Sequence, residues 1–129
     1  MPDAEHEETA PDASRLLITK LTCSLVSQTQ AIQIAPGTRA FQAYGSEAVE
    51  QFRCNYGLNS AYRDQLFGGA LRIAGVGPQG EVRIVELSDH RFFVATLFLP
   101  QLASTREKPH PLIVAYLQAA LAYRVSRPG

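Results

Sequence analysis

The stretch Phe92-Phe93-Val94-Ala95-Thr96-Leu97-Phe98-Leu99 constrains the fold more than any other part of the chain, because Thr96 is its only polar residue. A strand with one wet face alternates apolar and polar residues. A near-continuous apolar run suits a strand covered on both faces. The one long helical pattern comes after it. Pro111 stands at a helix start, Leu112, Ala115, Tyr116, Ala119, Ala120 and Tyr123 recur at helical spacing, and Arg124 suits the helix end electrostatically. Strands followed by a helix that packs on a buried strand predict an α/β fold.

The preceding residues read as shorter elements. Leu16-Leu17-Ile18, with Leu21, Leu25 and Val26 after it, suits one or two short strands, and Ala31 to Ile34 suits another, closed by the turn dipeptide Pro36-Gly37. Thr38 to Tyr44 predicts a short helix ended by Gly45, and Val49 to Tyr56 a strand. Asn59-Ser60 suits the cap of a helix through Leu66, stopped by Gly68-Gly69. Leu71 to Val76 and Glu81 to Leu87, joined by Gly77-Pro78-Gln79-Gly80, form the clearest hairpin.

With 129 residues the chain is of single-domain size. Residues 1–14 are acidic, carry Pro2 and Pro11 and have little to bury, so they read as a mobile arm, leaving 15–129 as the folded part. Lysine plus arginine equals aspartate plus glutamate at 12 each, so no charge excess points to nucleic acid or an anionic membrane. No segment is apolar enough to span a bilayer, and the N-terminus has no signal-peptide core, so a cytoplasmic location is the expectation. Cys23 and Cys54 are too few for a disulfide framework and lack zinc spacing. His6, His90 and His110 have no partner spacing, so neither a metal nor another cofactor is expected. The glycines at 68–69 and 75–77 do not form a phosphate-cradling loop.

Several stretches, in order, resemble one family. Phe93 to Gln101 is similar to F-V-A-x-Q-F-H-P-E, and Pro109-His110-Pro111-Leu112 to G-H-P-L-F, at the end of class I glutamine amidotransferase domains of the CTP synthase type. Ala43-Tyr44-Gly45 resembles A-Y-G, Gln51 to Tyr56 resembles R-H-R-H-R-Y, and Ala70 to Gly75 with Val85 to His90 resembles G-L-x-x-S-G … I-E-L-x-x-H. The resemblance covers residues 15–124. It implies the C-terminal half of a flavodoxin-like α/β domain with a mixed sheet and a C-terminal helix. A nearer likeness is to the CTP synthase C-terminal region-related (seleno)proteins, through Asp3 to Glu7, Leu21 to Val26, Cys54 to Arg63 and Phe92 to Phe98.

Against that family the chemistry is altered. Active members end the last strand in a histidine, which takes the proton of a cysteine nucleophile, and a glutamate, which orients it. The resemblance puts Leu99 and Gln101 at those places, and the sequence has no G-x-C-x-G elbow. The family's glutamine-hydrolysing triad is therefore not expected here. Three readings stay open: a non-catalytic amidotransferase-like module, a subunit or truncated fragment whose nucleophile half is elsewhere, and a thiol or redox protein using Cys54. The candidate ligand or thiol site is Arg53, Cys54 and Tyr56, since a neighbouring arginine lowers a thiol pKa. The strand at 92–99 needs more helices than this sequence supplies. A homodimer or a partner chain providing the missing N-terminal half is accordingly expected, with a compact monomer not expected.

Overall fold

The computed structural model describes residues 1–127. Two sheets and three α-helices make up the described chain. Strand β1 (Glu5–His6), β2 (Leu16–Lys20) and β5 (Tyr56–Leu58) form a small mixed sheet in the order β1-β2-β5, with β1 parallel and β5 antiparallel to β2. Strands β3 (Gln28–Ile34), β4 (Glu47–Phe52), β6 (Leu71–Val76), β7 (Val82–Leu87) and β8 (Val94–Thr96) form a five-stranded antiparallel sheet in the order β4-β3-β6-β7-β8. Helix α1 (Arg39–Tyr44) joins β3 to β4, α2 (Arg63–Leu66) follows β5 behind a 3-10 turn at Ser60–Tyr62, and α3 (Pro111–Ser126) closes the described chain.

Local signals place most of these elements. Thr38 caps α1 by accepting the N–H of Phe41, and Gly45, at φ 92°, takes the left-handed position that ends it. Asn59 caps the 3-10 turn by accepting the N–H of Ala61. The hairpin β6–β7 forms as its alternation predicts. Gly75 is required within it, because a Cβ there would stand 2.9 Å from Ile32 Cγ2 and 3.0 Å from Ile84 Cδ1. Ile32, Ile84, Phe52 and Phe98 build the core, the two phenylalanine rings meeting edge to face at 5.7 Å.

Three expectations change. The run at 92–99 is not a strand buried on both faces. Only Val94–Thr96 pairs, with β7 alone, at the sheet edge, and Ala95 is exposed. The run is apolar because its end leaves the sheet: Phe98 folds inward onto Phe52. The strand read at Val49 to Tyr56 is two strands in different sheets, broken at Arg53–Asn55. Residues 1–14 lie against β2: Glu5 N–H donates to Arg15 O, Glu7 N–H to Ile18 O, both at 2.9 Å, and Arg15 pairs with Asp3. That docking runs through the backbone, which a count of apolar residues does not register.

Helix α3 begins where Pro111 predicts, but its second half is largely bare. Leu112 is buried and Ala115 and Ala119 are half-buried, while Tyr116, Leu117 and Leu121 are exposed and Val125 is 81% exposed. Arg91 covers one side of Tyr123, its guanidinium carbon 4.2 Å from the ring centre. An apolar helix surface of this kind ordinarily packs against something.

Candidate functional site

The alternation in β4 turns Ala48, Glu50 and Phe52 inward and leaves Glu47, Val49 and Gln51 outside. The chain then bends through the candidate residues. Arg53 is exposed and makes no ion pair among the described residues. The half-buried Cys54 donates its thiol proton to Tyr56 O at 2.9 Å, and the Tyr56 ring rests 5.1 Å from that of His6. The three residues are neighbours in sequence but do not converge on one point. The basic group that acts on Cys54 electrostatically is Arg83 of β7 rather than Arg53.

Leu99 and Gln101 lie past β8. Leu99 is 46% exposed and stands just before a 3-10 turn at Pro100–Ala103, on which Gln101 is also exposed. Phe98 links this corner to the end of β4, so the structure does bring the 98–101 corner and the 52–56 bend to the same side of the core. Neither Leu99 nor Gln101 supplies a group that accepts a proton at neutral pH.

The polar groups that the structure does bring together are elsewhere. His110 caps α3: the N–H of Leu112 donates to Nδ1 at 3.1 Å. The ring proton therefore sits on Nε2, which donates to Glu50 Oε1 at 2.5 Å. Tyr44 donates its hydroxyl to the same oxygen at 2.5 Å. Burial, and then the adjacent Glu50 carboxylate, push the Tyr44 phenol far above its ordinary value. This set is closed, every proton having an acceptor inside it, so it fixes the start of α3 rather than leaving a base free. His110 acts as the helix-start residue that its G-H-P-L-like setting implies. Sequence reasoning does not single out Glu50 and Tyr44, although Glu50 sits between Ala48 and Phe52 at inward positions of β4, and an inward carboxylate needs partners.

A second buried carboxylate, Glu86, accepts Arg39 N–H at 3.0 Å, Ala40 N–H at 3.4 Å and the Arg72 guanidinium at 2.6 and 3.1 Å. It caps α1 from the neighbouring strand. Among the described residues no group of three or more His, Cys, Asp or Glu gathers to hold a metal ion. None of their helices is long and apolar enough to cross a membrane.

A mixed β1-β2-β5 sheet beside an antiparallel β4-β3-β6-β7-β8 sheet, closed by a capped C-terminal helix, superposes on a solved amidotransferase. The match is the glutaminase domain of Trypanosoma brucei CTP synthase, a structure with bound acivicin, at TM-score 0.85 and 25% identity over 94% of this chain. The CTP synthase of Carboxydothermus hydrogenoformans is 45% identical over 91 residues, 69% of this chain, and that of Chlamydia muridarum 42% over 97 residues. The chain is a homologue of the CTP synthase glutaminase domain. Its fold is that of class I glutamine amidotransferases, and a GMP synthase glutaminase-type fold from Thermoplasma acidophilum shares it at TM-score 0.64 and 13% identity. The homologue spans 52% of the solved glutaminase domain and 17% of the Carboxydothermus CTP synthase. No family profile matches it.

Proposed function

We propose that this CTP synthase glutaminase homologue is a non-catalytic amidotransferase-like module that works by association. The observation carrying the reading is Leu99 and Gln101, at the places where the resemblance puts the proton-accepting histidine and its orienting glutamate. Leucine has no lone pair for a proton, and a neutral amide does not stabilise an imidazolium. The apolar outer surface of α3 supports the association half of the proposal, since it is the surface that a partner chain or a second copy would cover. Light scattering followed by a glutaminase assay of the eluted peak tests both halves. The expected result is a mass above the 14.1 kDa of one chain and no ammonia release from glutamine. Turnover that disappears on Cys54→Ser or Cys23→Ser would overturn the non-catalytic reading. A sharp monomer peak would overturn association.

A second reading, thiol chemistry at Cys54, is favoured only by the electrostatic reach of Arg83 to that thiol. The hydrogen bond from Cys54 Sγ to Tyr56 O opposes it, because it holds the proton on sulfur.

A further inference from the structure

Among the described residues, Arg83 is the buried cation whose hydrogen-bonding capacity is left open. Its side chain is 5% exposed. It occupies the extra position of a β-bulge: Gly75 pairs with Ile84 and Val76 with Val82, so Arg83 has no partner across the ladder. Bulges of this kind re-aim a side chain. Here the guanidinium is turned over the Phe52 ring, 5.6 Å from its centre. Its Nε donates to Gln30 Oε1 at a long 3.3 Å, and Nη1 reaches Val82 O only at 3.5 Å. Nη2 has no hydrogen-bond acceptor among the described residues, the nearest carboxylate oxygen being Glu81 Oε1 at 4.0 Å. Burying a guanidinium with so little in exchange is unfavourable, and desolvation pushes its pKa below the ordinary arginine value.

The free edge of that guanidinium faces space. Arg83 lines a cavity of about 510 Å³ together with Thr22, Cys23, Gln30 and Glu81. It also lines an adjoining one of about 330 Å³, to which Lys20 and Arg63 contribute. The charged groups around the two cavities are thus three cations and the single carboxylate of Glu81. A planar guanidinium edge matches a carboxylate through paired N–H donors. Glu81, so close to Nη2, sets a limit on charge: a multiply charged anion such as phosphate meets more repulsion there than a single carboxylate does.

We propose that the cavity above Arg83 is a binding site for a small monocarboxylate, held by the guanidinium edge with Cys23 at its rim. The site is separate from the Leu99 and Gln101 corner and goes beyond the function proposed above, so it stands or falls independently of glutamine hydrolysis.

Cys23 is an exposed thiol in the same cavity and reports on it. Iodoacetate carries a carboxylate and iodoacetamide does not, while both alkylate sulfur. The alkylation rate at Cys23 is followed for each reagent by peptide mass spectrometry, in the native chain and in the chain unfolded by urea. The iodoacetate-to-iodoacetamide rate ratio should be about tenfold higher in the native chain, the low end of what a charged, low-dielectric cleft does to local anion concentration. Added acetate should slow the iodoacetate reaction and leave iodoacetamide unaffected. Arg83→Gln should return the ratio to its unfolded value with the iodoacetamide rates at Cys23 and Cys54 unchanged, the latter showing that the fold is kept. Glu81→Gln, which leaves Arg83 in place, should raise the ratio. Equal ratios in the native and unfolded chains, no protection by acetate, or no response to Glu81→Gln would overturn the site even if Arg83→Gln failed to fold.

Discussion

Glu50 and Arg83 are both buried charged groups on the same five-stranded sheet, and the fold treats them in opposite ways. Glu50 receives two short hydrogen bonds on one oxygen, from Tyr44 and His110, and one of those partners caps the longest described helix. Arg83 has one long hydrogen bond to a side chain, a distant carboxylate and an aromatic face. Glu50 is held by the elements it joins: β4, the end of α1 and the start of α3 meet at its carboxylate. Arg83 is held by a bulge that points it into a cavity. A buried charge with all its partners inside the protein is a structural joint. One with donors left over and space in front of them has the form of a site.

The largest effect that would sharpen this contrast is at the joint. Glu50→Ala leaves the buried Tyr44 hydroxyl and the His110 N–H without an acceptor, and each costs about 1–3 kcal/mol. A loss of about 3 kcal/mol is expected in urea unfolding, with Glu50→Gln milder because its amide oxygen still accepts. A loss under about 1 kcal/mol would mean that water reaches the cluster, and the contrast with Arg83 would fail. A smaller effect belongs to Tyr44→Phe, about 1 kcal/mol for one hydrogen bond. The same variant has a signature in pH. The folded chain holds the Tyr44 proton above the 10.0 of a free phenol, so its contribution is fully present below that value. As pH rises past it the unfolded chain binds fewer protons than the folded one, and stability falls. Unfolding followed at about pH 8 and about pH 11 should show that decline in the unaltered chain and a shallower one in Tyr44→Phe. Parallel declines would remove Tyr44 from the cluster.

Much of this fold is legible in local signals. The β6–β7 hairpin, the Thr38 and Asn59 caps, Gly45 and the Pro111 start each act within a few residues, and each is found where the sequence puts it. The differences arise where burial comes from distant chain. Phe92 to Leu99 is apolar for two unrelated reasons, an edge strand and a corner residue that fills the core, and periodicity merges them. The candidate site is less legible. Arg53, Cys54 and Tyr56 are adjacent in sequence but do not converge. Arg83 reads as the wet face of a hairpin until the bulge at Gly75–Val76, visible only as a register shift, turns it inward. The one available hint is Gly75 itself, since a glycine inside a strand often marks a bulge.

The smallest expected change is also the one that separates the two residues most cleanly, because its sign is opposite. Arg83→Met keeps most of the side-chain volume and removes the charge. The variant loses the contact over Phe52, worth about 0.5–1 kcal/mol, and a long hydrogen bond to Gln30 worth no more than about 1 kcal/mol. It also removes the desolvation of a buried ion, which amounts to several kcal/mol after relaxation and which Glu81 at 4.0 Å offsets only in part. These terms nearly cancel, so the stability in urea unfolding should stay within about 1 kcal/mol of the unaltered chain or move upward. In the same variant the preference of Cys23 for iodoacetate should vanish. Stability kept while anion preference is lost is the pattern of a residue retained for what it binds. A loss above about 2 kcal/mol would show instead that the sheet leans on the guanidinium as it does on Glu50, and Arg83 would join the structural set.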